Sequence, residues 1–193
     1  MKNIKNKKYS KKKILCFIEH YLPGHKLGGP VRTIANFVEY FGDNYEVSVV
    51  CLDRDYLATK PYSNKNFHKW HKVGKAKVFY IPKKVQGLKI ITQILKKNSY
   101  DLLYLNGLFS IIFTILPLLL RRINLVSKSI PCIIAPRGMF SQNALKLKLV
   151  KKKIFLVSAK LIGLYKNIIF HASNNYEKKE YPALDTFIKF SKK

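Results

Sequence analysis

Two adjacent glycines, Gly28 and Gly29, stand between the apolar run 14–19 and a run of helical spacing over 30–41. A strand, a loop and glycines at a helix start make a place where backbone N–H groups can face an anion. Glycine removes the Cβ that would obstruct close approach, and Pro30 suits a first helical turn because its missing N–H had no partner there. His20 and His25 flank this loop. They read as solvated loop histidines, or as groups placed to act as acid or base on a ligand hydroxyl. Asn106-Gly107 and Arg137-Gly138 follow two later apolar runs, and His171 ends a third. The planar fork of Arg137 suits a phosphate or an acidic sugar, or a salt bridge holding its own loop. Asn106 reads either as a hydrogen-bonding group or as a turn residue paired with Gly107. His171 reads as structural. His68 and His71 lie around Trp70 with no third ligand in sequence, so no metal is expected.

Strand-like runs at 14–19, 46–52, 77–81, 100–105, 131–135 and 167–172 alternate with helical patterns at 30–41, 88–97, 109–122 and 142–164. That alternation predicts an α/β, Rossmann-like, doubly wound and mainly parallel sheet covered on both faces. In such sheets ligands bind beyond the carboxyl ends of the strands. The positions His20 to Gly29, Asn106-Gly107, Arg137-Gly138 and His171 to Asn175 fall at that edge, together with Asp53 to Asp55. Residues 53–76 show no period and read as one long connection. The domain is expected over 14–180, after a basic arm at 1–13 and before an irregular tail at 181–193.

Composition narrows the partners. The 193 residues are 48% hydrophobic, enough for one sizeable core. Cys16, Cys51 and Cys132 lie in separate apolar runs without metal-ligand spacing, which fits buried thiols in a reducing cytoplasm. The formal charge of +27 implies attraction to polyanions. Residues 1–13 hold seven lysines and no acid, and a second cluster comprises Lys146, Lys148, Lys151, Lys152 and Lys153. Two readings stay open for these lysines: solvated faces, or peripheral contact with an anionic membrane. Nucleic acid is disfavoured because lysine greatly outnumbers arginine, the usual reader of bases. No secretory leader pattern appears at the amino end. The most membrane-like run, 108–120, is 13 residues, against the roughly 20 that a spanning helix needs. A cytoplasmic chain is expected.

The segments Gly28-Gly-Pro-Val-Arg-Thr-Ile-Ala-Asn36, Tyr104-Leu-Asn-Gly107 and Ala135-Pro-Arg-Gly-Met-Phe-Ser141 resemble the N-terminal half of family 4 (group 1) glycosyltransferases, especially bacterial surface-polysaccharide enzymes. Lys146-Leu-Lys148 and Lys151-Lys-Lys-Ile-Phe155 match the run that follows in that family, and the resemblance covers about residues 14–180. It implies a two-domain GT-B fold and retaining, metal-independent transfer from a nucleotide sugar to a lipid-linked or polysaccharide acceptor. Its N-terminal half takes the acceptor. Gly28 and Gly29 would approach the donor diphosphate, while Asn106, Arg137 and Gly138 would line the cleft.

The chain departs from this pattern in two ways. Many relatives carry a histidine at the cleft end of the fourth or fifth strand, where Asn106 and Arg137 stand here. Nothing after residue 180 corresponds to the donor-binding half, with its basic pair and its two glutamates separated by seven residues. A glycosyltransferase-type domain incomplete alone is therefore expected, with the donor half supplied by a partner chain or lost. Two alternatives remain: a non-enzymatic basic module for anionic membrane or nucleic acid, and a complete nucleotide-sugar enzyme of one Rossmann domain.

Overall fold

The computed structural model describes residues 10–63, 69–83, 85–97, 99–139 and 149–180. Apolar runs form the strands β1 (Lys13–Phe17), β2 (Glu46–Leu52), β4 (Ala76–Ile81), β5 (Leu102–Asn106), β6 (Cys132–Ala135) and β7 (Ile169–Phe170). The strand β3 (His71–Val73) precedes β4 in sequence. Together they make one sheet in the order β3-β4-β2-β1-β5-β6-β7, parallel throughout except for the antiparallel pair β3 and β4. The six parallel strands thus follow a doubly wound, Rossmann-like order. The chain winds outward from β1 to β4, then returns to the other side of β1 at β5. This reversal opens the crevice expected in such sheets, at the carboxyl ends of β1 and β5.

Because successive strand residues face opposite sides, each strand feeds two cores. Cys16, Val49 and Val78 point toward α1 (Gly29–Phe41), whose Val31, Ile34 and Val38 are buried. Leu15, Phe17, Val50 and Leu105 point to the other face. There they meet α2 (Val85–Lys96), α3 (Leu116–Arg122) and α4 (Leu149–Leu161). A short helix, α5 (Asn175–Glu180), follows β7.

Two local expectations change. The long connection over 53–76 contains β3, which pairs His71 with Val78 and Val73 with Ala76. Its three residues are half-buried or exposed and carry no apolar alternation, so periodicity could not reveal it. The helix expected from about 109 to 122 begins as a π-helical turn, Ile111–Ile115, before α3. The amides of Ile115 and Leu116 bond five residues back, to Ser110 and Ile111. Pro117 has no N–H to give to Phe113 in an α-helical ladder, and Thr114 turns its hydroxyl back to the Gly107 carbonyl at 2.8 Å.

Among the described residues no helix is long and apolar enough to cross a membrane. Residues 1–9 and 181–193 lie outside the description. Lys13, the last lysine of the basic arm, belongs to β1.

Candidate functional site

The crevice between β1 and β5 is spanned by one side chain. Asn106 ends β5 and is only 5% exposed. Its Nδ2 donates to the Phe17 carbonyl at 3.1 Å, across the switch point onto β1. With the amino group so placed, Oδ1 faces Arg137 and accepts from its Nε at 3.1 Å and its Nη2 at 2.8 Å. Arg137 also donates to Ser173 Oγ at 3.1 Å and to the Tyr104 hydroxyl at 3.4 Å. Its backbone sits at φ 59°, the left-handed region, which turns the chain sharply after β6. Among the described residues Arg137 has no carboxylate at ion-pair distance. Its charge is held by neutral acceptors.

The network continues to β7. The Tyr104 hydroxyl lies 2.7 Å from His171 Nδ1. Because Tyr104 accepts from Arg137, its proton is directed to Nδ1, which assigns the remaining proton of a neutral His171 to Nε2. Burial, then the neighbouring Arg137 charge, hold the imidazole pKa below its ordinary value of 6.5, while Glu177 opposes them. Burial pushes the Tyr104 phenol up to about 12. The edge over β5, β6 and β7 thus presents a guanidinium beside a neutral N–H donor. That chemistry suits an anion or a polyhydroxyl ligand.

Gly138 does not offer a vacant donor. Its N–H is taken by Glu177 Oε1 at 2.7 Å, and Oε2 accepts the Ser173 N–H at 2.6 Å. Glu177 lies in the first turn of α5 and is 3% exposed. Its own N–H bonds Asn174 Oδ1 at 2.8 Å, so an asparagine caps the helix while the glutamate three residues on reaches back past the cap.

The first strand-to-helix loop forms the other side of the edge. Gly28 is exposed at φ 59°, and a Cβ added to either Gly28 or Gly29 would meet open space. The loop is anchored by Asp55, whose carboxylate accepts the backbone N–H of His25 at 3.2 Å, Lys26 at 3.4 Å and Tyr56 at 2.7 Å. Burial alone would raise the Asp55 pKa, but these three donors hold it below its ordinary 3.8. His25 stays exposed. His20 differs from the solvated loop histidine expected. It is 6% exposed, its ring meets the edge of Tyr56, and its Nδ1 sits 3.0 Å from the Arg54 carbonyl. Since a carbonyl only accepts, Nδ1 carries the proton and Nε2 is left as the basic nitrogen.

The remaining candidates separate from this edge. Lys151 and Lys153 are exposed on α4, and Lys152 lies over the Phe109 ring at 5.3 Å. Lys146, Lys148 and His68 fall outside the described residues. His71 sits on β3 with its ring against Tyr80, and no cluster among the described residues could hold a metal ion. Cys16, Cys51 and Cys132 are buried, and burial pushes the thiols of Cys16 and Cys132 up to about 12, which keeps both protonated. An apolar groove of about 530 Å³ lies beside the edge, lined in part by Phe109, Ile111 and Met139 and rimmed by Glu19, Lys83 and Lys152.

No protein-family model matches the chain, and no curated protein matches it. Residue identity at the strand ends pointed to Asn106, Arg137 and Gly138, but not to Tyr104 and Ser173 as partners of Arg137 or to Glu177 as the partner of Gly138. Those contacts join residues 33, 36 and 39 positions apart, and only the parallel sheet brings them together.

Proposed function

We propose that this chain is the acceptor-side domain of a glycosyltransferase, serving retaining transfer of a sugar from a nucleotide sugar to a lipid-linked or polysaccharide acceptor. The observation that carries this reading is the Asn106–Arg137 pair, which sits at the switch point of a Rossmann-order sheet and holds, at the ligand edge, a guanidinium with no carboxylate at ion-pair distance among the described residues. It is further supported by the GT-B resemblance of the segments around Gly28, Asn106 and Arg137.

In this reading the described sheet is one wall of a cleft. A nucleotide-sugar domain, on a partner chain or elsewhere on the same polypeptide, forms the other. Gly28 and Gly29 face the donor diphosphate, and Arg137 binds an anionic or hydroxyl-rich part of the acceptor. His20, whose Nδ1 is held on the Arg54 carbonyl, keeps Nε2 for steering an acceptor hydroxyl, and His25 stands exposed three residues before Gly28. No cofactor is required beyond the sugar donor.

The test is amide chemical-shift mapping on the full chain with uridine and guanosine diphosphate sugars, and separately with short saccharides and polyprenyl-phosphate sugars. Shifts centred on Gly28, Asn106 and Arg137, lost in Arg137→Gln, are expected. Absence of any shift at this edge with every donor and acceptor class would sink the proposal. Binding of polyanions that weakens steeply with salt and survives Arg137→Gln would instead favour a non-enzymatic basic module.

A further inference from the structure

Helix α4 is apolar on two opposite sides. Leu156 and Ala159 are buried in the core, and Phe155 packs its ring on Phe109. Across the helix, Val150, Ile154, Val157 and Leu161 are 44 to 82% exposed. At about 100° per residue these four fall within an arc of roughly 60°, centred opposite Leu156 and Ala159. An exposed apolar stripe rimmed by polar residues ordinarily marks an interaction surface. With 13 residues, α4 is too short to span a bilayer, so the outer stripe calls for a surface contact.

The π-helical turn and α3 lie alongside α4, Phe109 touching Phe155 at one end and Arg122 Nε bonding the Ile162 carbonyl at the other. Ile111 of the π-helical turn and Ile123, just past α3, are also exposed. Lys151 lies on one flank of the stripe, and Lys153 and Lys160 lie on the other. From residue 102 to residue 176 the chain contains 11 lysines and arginines and not one aspartate or glutamate.

We infer that the outer face of α4 is a docking surface for an anionic lipid membrane. Charge selects the occupant. A second copy of this chain would bring positive flanks against positive flanks. A nucleic acid would neutralise the lysines but leave four aliphatic side chains against sugar and phosphate with nothing to gain. An anionic bilayer satisfies both features: its headgroups meet the flanking lysines, and its acyl boundary accepts the stripe. The contact places α4 flat in the interface, and it does not depend on the sugar-transfer proposal.

The experiment is vesicle flotation of the full chain. The chain should float with phosphatidylglycerol-containing vesicles and remain behind with pure phosphatidylcholine. The double variant Ile154→Glu, Leu161→Glu should lose roughly tenfold or more in apparent affinity, through lost insertion and like-charge repulsion from the headgroups. Lys5→Gln, Lys7→Gln, Lys8→Gln, altering only the amino-terminal lysine run, should retain most binding. Since a double variant can disturb folding, Ile154→Trp provides an independent reading. Its emission should shift to the blue on anionic vesicles only, with Trp70 as the sole other tryptophan.

The inference is overturned if the double variant binds as well as the parent, if the amino-terminal variant alone abolishes flotation, or if Ile154→Trp shows no shift. It is equally overturned if sedimentation finds a lipid-free dimer that the double variant dissociates, or if the chain binds homopolymeric RNA through the same residues in preference to vesicles.

Discussion

Arg137 and Asn106 lie 31 residues apart in sequence and share one oxygen, the Asn106 Oδ1, which accepts from both Nε and Nη2 of the guanidinium. The other end of the same amide grips the Phe17 carbonyl. A single side chain thereby links the ends of β1 and β5 to the loop after β6 and sets the direction of the charge.

Replacing Asn106 tests this link. Asn106→Leu fills a similar volume but strands the Phe17 carbonyl and frees Arg137, with an expected stability loss of about 1–3 kcal/mol. Asn106→Asp keeps the acceptor for Arg137 while losing the donor to Phe17, so it should fall between leucine and the parent. Urea midpoints at neutral pH measure the order. A leucine variant as stable as the parent would show that the amide contributes nothing.

The left-handed backbone at Arg137 gives a second prediction. Arg137→Gly and Arg137→Ala both remove the guanidinium, and anion binding at this edge should vanish in each. Their stabilities should differ, because alanine retains a left-handed penalty of roughly 1–2 kcal/mol that exceeds the flexibility cost of glycine. The glycine variant should therefore be the more stable by roughly 0.5–1 kcal/mol, an order opposite to that expected in an ordinary loop. Thermal denaturation of the two variants side by side decides.

Glycine substitutions should distinguish packing from openness. A Cβ on Gly24 would come to 2.4 Å from Tyr62 Oη and 2.7 Å from Asp55 Oδ1, against the carboxylate that anchors the glycine loop. Gly24→Ala should cost on the order of 2–3 kcal/mol and loosen that loop. Gly29→Ala, with open space and no positive φ, should change stability by less than about 0.5 kcal/mol. If Gly29→Ala instead abolishes ligand binding while leaving stability unchanged, the glycine pair faces a ligand.

His171 predicts a pH dependence. Its folded pKa lies below 6.5, so the unfolded chain binds the proton more readily. The stabilisation is complete above pH 6.5 and is lost as pH falls through that value toward the folded pKa. His171→Gln should flatten the stability profile in this window. Arg137→Gln should flatten it partly, since burial is the larger cause and remains. An unchanged slope in His171→Gln would assign the dependence elsewhere.

The strand plan was legible because buried parallel strands are written as continuous apolar runs, and β2 spans the run at 46–52. The edge was legible because polar and glycine residues recur where those runs end. The partnerships across it were not. Glu177 in sequence is one more charged residue in a lysine-rich helix start, and only the fold places it on the amides of Gly138 and Ser173. His20 looked solvated because its loop contains Pro23, Gly24 and Lys26. Its burial comes from Tyr56 and the Arg54 carbonyl, 36 and 34 residues on.

The carboxylate of Glu177 makes admission to this edge a competition. Any phosphate seeking the Gly138 and Ser173 amides faces a rival tethered on the same chain, present at an effective concentration that no weak monoanion in solution can match. On the proposed reading, the domain rests with two of the amides at this edge already taken from within. On that reading, a multivalent ligand that engages Arg137 at the same time is the one expected to displace it, and selectivity depends on what α5 must surrender as much as on what the newcomer gains.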